Sequence, residues 1–169
     1  MSDKVGQDAQ VEHWFYHLQQ STLEAVLPDI LEKTRAKNWR VLLKIGPCLD
    51  EGAGEPETEM ARLDKFLWTY KQDAFLPHGR DDEPLAEHQP ILLTTVCEKT
   101  QGVDAVILVG GAEMQDVSGV QRCITILDGR NEQDKAVARK RWKQAGDAGL
   151  STAYWQQDDH GRWIKPKGL

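Results

Sequence analysis

Four runs of the chain, RVLLKIG (40–46), ILLTTV (91–96), AVILVGG (105–111) and CITILDG (123–129), are apolar almost throughout and do not alternate with polar residues. A strand with one wet face alternates, so a strand that is apolar on both faces must have both covered. With helical stretches between them, these runs predict a largely parallel central sheet flanked by helices: a three-layer, Rossmann-like α/β architecture. Two more segments complete the sheet. WFYHL (14–18) is a short aromatic strand, and LSTAYWQQDDHGRWIKP (150–166) reads as a strand, a turn at Asp158 to Gly161 and a short return.

Three stretches carry helical spacing. STLEAVLPDILEKTRAKN (21–38) repeats through Leu23, Val26, Leu27, Ile30, Leu31 and Thr34, with Ser21 or Thr22 as cap and Glu24 placed for a capping box on Ser21. Pro28 removes one backbone donor and predicts a kink. MARLDKFLWTYK (60–71) follows Leu63, Phe66, Leu67 and Tyr70, and NEQDKAVARKRWKQAGDAG (131–149) opens at Asn131 or its neighbour and closes on glycine. The acidic, breaker-rich segments 47–59 and 79–90 read as exposed loops.

A length of 169 residues, 40% of them hydrophobic, suits one core, so 1–169 is expected to be a single domain. No apolar run approaches the roughly twenty residues of a membrane span. The start, MSDKVGQDAQ, is polar and acidic where an export signal is basic and then apolar; a cytoplasmic protein with residues 1–12 frayed is expected. Cys48, Cys97 and Cys123 are widely spaced and form no Cys-x-x-Cys pair, so they read as thiols, the last two buried.

Catalytic and cofactor signatures fail one by one. IGPCLDEGAGE lacks the Gly-Lys-Ser/Thr ending of a phosphate loop, and its acids would repel a phosphate; LVGGAEM lacks the G-x-G-x-x-G spacing. No Gly-x-Ser-x-Gly elbow presents a serine. His13 and His17 share a strand face but lack a metal motif. His78, in DAFLPHGR (73–80), has acids near it and no nucleophile to serve, and reads as a structural or contact residue. No cofactor and no metal are expected.

One helix defies the formal net charge of −6. Lys135, Arg139 and Lys143 recur every four residues and drift only about 40° per step around the helix, forming one basic stripe. Trp142 borders it, beside the apolar edge of Ala138 and Ala145. Cations flanking a flat apolar surface suit single-stranded nucleic acid, through stacking and phosphate contacts, or an acidic peptide with an apolar end. The overall acidity and the shortness of the stripe favour the peptide.

WFYHL, RLDKFLWTYKQDAFLPHG (62–79), QPILLTT (89–95), ARKRWKQAGDAG (138–149) and AYWQQDDHGRW (153–163) together resemble the chi subunit of bacterial DNA polymerase III holoenzyme. The resemblance implies a clamp-loader accessory protein without catalysis of its own. It implies two partners: the acidic C-terminal tail of single-stranded DNA-binding protein, and the psi subunit or a substitute for it. The family's tail-binding helix matches here at Lys135, Arg139, Trp142 and Lys143, with Trp142 where the family often has tyrosine. Its psi contact matches at Trp68, Phe75, Leu76 and Pro77. Direct binding of single-stranded nucleic acid by the stripe, or a nucleotide-binding or hydrolytic α/β enzyme, are the alternatives.

Overall fold

The computed structural model describes residues 11–46, 56–72, 75–95, 102–113, 117 and 119–166. Their elements are β1 (Glu12–Leu18), α1 (Leu23–Arg35), β2 (Val41–Ile45), α2 (Pro56–Thr69), β3 (Gly79–Arg80), a 3₁₀ turn (Ala86–His88), β4 (Ile91–Thr94), β5 (Ala105–Val109), β6 (Arg122–Asp128), α3 (Glu132–Asp147), β7 (Thr152–Gln157) and β8 (Trp163–Ile164). One eight-stranded sheet unites the strands in the order β3-β4-β2-β5-β6-β1-β7-β8. Neighbours are parallel except for β7 and β8, which form the antiparallel return after the Asp158 turn.

The apolar runs form the middle of this sheet because they have both faces to bury. Every residue of β2, β4 and β5 is buried. On one face Leu43, Leu93, Ile107 and Ile124 pack with Leu27, Ile30 and Leu31 of α1 and with Leu63 and Leu67 of α2. On the other, Leu42, Val106, Leu108 and Cys123 make a second cluster, and Phe15 and Leu127 pack against Ala138 of α3. The three-layer α/β expectation is met. Burial holds the Cys123 thiol up at about 11, as suits a thiol that only packs; Cys48 and Cys97 lie outside the described residues.

The local readings need several corrections. Thr22, not Ser21, caps α1: its hydroxyl accepts from the Ala25 N–H at 3.3 Å, and position N3 is then Ala25 and not Glu24, so the Ser21–Glu24 box is not the cap. α1 runs through Pro28 from Leu23 to Arg35. An interior proline costs about 3 kcal/mol, which burying Val26, Leu27, Ile30 and Leu31 at about 1.5–3 kcal/mol each outweighs. α2 begins at Pro56, inside the segment read as a 47–59 loop, whose residues 47–55 lie outside the described residues.

The 79–90 segment is not wholly an exposed loop either. Gly79 is buried, and Gly79–Arg80 adds a short parallel edge strand beside β4. At the other end of the chain, Glu12 falls within the 1–12 segment expected to fray, yet it belongs to β1. Its carboxylate takes the Arg122 guanidinium at 3.2 Å and the Trp14 indole N–H at 3.0 Å. Residues 1–10 lie outside the described residues. Gly46, just after β2, serves a close approach: its N–H donates to the Val109 carbonyl at 3.0 Å, and a Cβ there would lie 2.2 Å from the backbone nitrogen of Ala112.

Candidate functional site: a cationic aromatic groove

α3 is set up by its cap. The Asn131 side chain accepts from the N–H groups of Gln133 and Asp134 at 2.9 and 3.1 Å, and the chain turns off at Gly149 after the last turn. Ala138 and Ala145, seven residues apart on one stripe, are the buried residues of the helix, and their small size lets it lie close on the sheet. The helix packs on β6, β1 and β7. That crossing puts the residues flanking the alanine stripe at the edge of the sheet.

Trp142 closes an aromatic box there. Its ring meets Phe15 of β1 and Tyr154 of β7 edge to face, each with centroids 5.4 Å apart, while Phe15 and Tyr154 stack at 5.9 Å. Such pairs add about 0.5–1.5 kcal/mol beyond the area they bury. Beside the box is a groove of about 180 Å³ lined by His17, Leu127, Lys135, Arg139, Trp142, Tyr154 and Gln156. Three of the four residues read from the helix thus come together. Lys143 does not line the groove; it lies exposed one turn further on.

The two groove cations differ. Lys135 is partly committed, with its Nζ 3.0 Å from the Glu132 carboxylate. Arg139 is exposed and has no hydrogen bond or ion pair among the described residues. His17 Nδ1 and the Tyr154 hydroxyl lie 2.6 Å apart. Burial, and then the positive charges of Lys135 and Arg139, hold the His17 imidazole below its ordinary value, with Asp128 opposing them. Burial raises the Tyr154 phenol, with Arg139 opposing. The ring of His17 is also packed tightly from below: a Cβ on Gly129 would lie 2.1 Å from its Nε2.

The sequence offers Tyr154 and Gln156 no role, and offers His17 only a weak one, beside His13 as a metal ligand. The alternation in WFYHL places His17 on the face of Phe15, which is the available signal, but its partner Tyr154 stands 137 positions away. His13, on the same face, belongs to a separate cavity of about 250 Å³ with Cys123 and Arg141. Among the described residues no group of three or more His, Cys, Asp or Glu is placed to hold a metal.

The second sequence-read cluster is split by the structure. Trp68 and Phe75 are 48% and 72% exposed, with ring centroids 5.7 Å apart. Leu76, read as their companion on the surface, is 4% exposed and belongs to the main core. Along 75–78, which belong to no helix or strand, exposure alternates, with Phe75 turned out and Leu76 turned in. Pro77 is half-buried. His78 is buried under the Trp68 ring at 4.2 Å; its Nδ1 lies 2.6 Å from the Leu76 carbonyl, and its Nε2 lies 3.1 Å from both the carbonyl and the carboxylate of Asp64. It pins the segment to α2, in keeping with its reading as a structural residue.

Fold and site define a three-layer, mostly parallel α/β protein that carries a cation-lined aromatic groove on α3 and an exposed Trp-Phe pair after α2. A phosphate-binding glycine loop is absent from the sequence. The chain belongs to the DNA polymerase III chi subunit family, HolC, which matches residues 11–153. Over 65 residues it is also 27% identical to the probable DNA polymerase III subunit chi of Rickettsia prowazekii (strain Madrid E), a stretch covering 38% of this chain and 39% of that protein. The match therefore spans about two-fifths of the relative's length. No helix among the described residues is long and apolar enough to cross a membrane.

Proposed function

We propose that the protein is a cytoplasmic accessory subunit of the replicative DNA polymerase, without a reaction of its own, that ties the polymerase to single-stranded DNA-binding protein by gripping its acidic C-terminal tail. The observation that carries this reading is the uncommitted Arg139 guanidinium beside the aromatic box of Phe15, Trp142 and Tyr154. An acidic tail ending in an apolar residue needs a charge for its terminal carboxylate, further charges for upstream acids and an apolar seat for its last side chain. Arg139 suits the carboxylate because its planar fork donates two parallel hydrogen bonds. Trp142, Tyr154 and Leu127 form the seat. Lys135 and the more remote Lys143 act on upstream acids as diffuse charges, worth up to about 1 kcal/mol each at an exposed site.

Contacts of this kind give weak, salt-sensitive binding, which many tails on one coated strand turn into lasting attachment. The test is a titration of a labelled acidic peptide ending in a free phenylalanine carboxylate against wild type and Arg139→Ala. Binding should weaken at least tenfold in the variant, and more salt should erode the wild-type affinity; equal affinities would sink the assignment. Complexes as tight with bare single-stranded DNA would favour the nucleic-acid reading.

The exposed pair Trp68 and Phe75, with half-buried Pro77, is the proposed contact for psi or a substitute in the clamp loader. Leu76 supports that surface from beneath.

A further inference from the structure

The tail-binding reading employs the ring of Tyr154 but leaves two groups of the groove unused, the Tyr154 hydroxyl and His17. Their 2.6 Å contact can be made in two ways. With Nδ1 bare, the Tyr154 hydroxyl donates to it, and the hydroxyl hydrogen is unavailable to a ligand. With Nδ1 protonated, in the imidazolium or in the neutral Nδ1–H tautomer, the ring donates to the Tyr154 oxygen, and the hydroxyl hydrogen swings free to be donated into the groove. A proton at Nδ1 therefore decides whether Tyr154 can donate to an anion, and of the two protonated forms only the imidazolium also sets a positive charge beside that anion.

The groups facing His17 from each packed element are Lys135 and Arg139 on α3, Tyr154 and Gln156 on β7, and Asp128 on β6. With the groove empty, the α3 cations and burial disfavour the charged ring, and Asp128 only partly compensates. A carboxylate beside Arg139 reverses that field, since an anion a few ångströms away favours the imidazolium. The ring cannot evade the choice by turning aside, because Gly129 packs against its Nε2 edge.

We infer that His17 and Tyr154 form a proton-linked receptor for the terminal carboxylate of the peptide, in which His17 takes one proton from solvent at Nδ1 as the peptide binds and Tyr154 donates its hydroxyl hydrogen to the carboxylate. No other bond changes. The inference rests on the tail-binding reading. By linkage, affinity must rise as pH falls through the interval between the free and the complexed values of His17, and must level off on either side.

The experiment uses the full chain and two probes, the acidic peptide with a free C-terminal carboxylate and the same peptide amidated. Calorimetry at pH 6 in buffers of different ionisation enthalpy should show uptake of up to one proton for the carboxylate peptide. Affinity should rise about three- to tenfold from pH 7.5 to pH 5.5, within the tenfold-per-unit ceiling of one linked proton. His17→Gln, which can still bond Tyr154, should bind without uptake and with a flat pH profile. Tyr154→Phe keeps the aromatic box and should lose affinity for the carboxylate peptide but little for the amide. A buffer-independent enthalpy in wild type, or an unchanged pH profile in His17→Gln, overturns the inference and leaves tail binding standing. No binding of the carboxylate peptide at any pH overturns both.

Discussion

Replacing Phe75 and Leu76 one at a time separates two neighbours that look alike in the sequence. Leu76 is 4% exposed and belongs to the core cluster that includes Leu63 and Leu67 of α2. Truncation to alanine removes buried methyl groups and leaves a cavity, a change worth about 2–5 kcal/mol. In a chain of this size each kcal/mol moves the melting temperature by about 2–4 °C, so Leu76→Ala should lower it by roughly 4–20 °C. Phe75 is 72% exposed and its ring contact is with Trp68, itself 48% exposed. Little surface is buried there, and Phe75→Ala should stay within about 0.5 kcal/mol of wild type. Urea and thermal denaturation followed by circular dichroism measure both. Equal destabilisation by the two variants would refute the inward and outward assignment; a stable Phe75→Ala that no longer captures a clamp-loader partner is the result the proposed docking role requires.

Two further outcomes follow from the site and its surroundings. Gly129→Ala should weaken both the fold and binding of the acidic peptide, because the new methyl would lie 2.1 Å from His17 Nε2 and 2.6 Å from the Leu18 carbonyl, and so must shift backbone at the end of β1 as well as push the His17 ring away from Tyr154; a peptide titration and a melt of the same variant check this. Stability should fall as pH drops below about 6.5, because burial, helped by Arg141, holds His13 below its ordinary value and does the same to His17. The unfolded chain then binds more protons than the folded one, so acid favours unfolding between the unfolded and the folded values. His13→Gln should flatten that slope in urea melts at pH 5 to 8; an unchanged slope would show that His13 is not the group responsible.

How much of this was legible beforehand depended on the range over which each feature is decided. The sheet's middle was legible because four unbroken apolar runs have only one economical fate, burial between two layers. α3 was legible in bounds and cap, since Asn131, the buried alanines and Gly149 are neighbours along one helix. The basic stripe was legible for the same reason. The ends of α2 and the small edge strand at Gly79–Arg80 were not, because an acidic helix start resembles a loop until Leu63 and Leu67 find a core, and a two-residue strand exists only by pairing with β4.

The site divides along the same line. Lys135, Arg139, Trp142 and Lys143 were read from a repeat every four residues, and that repeat determines which side chains share a helix face. It could not say that Lys143 lies beyond the groove, nor that Phe15, His17 and Tyr154 stand opposite. Those facts depend on α3 crossing β1 and β7, strands that start 140 positions apart and meet only because the sheet seats them side by side. Composition and periodicity alone determined a parallel α/β core and a cationic, aromatic-edged helix, because burial and helical pitch are local rules. Which neighbour of the Phe75-Leu76 pair turns inward, and which histidine meets the groove, was decided by tertiary packing, where each side chain's surroundings come from distant parts of the chain.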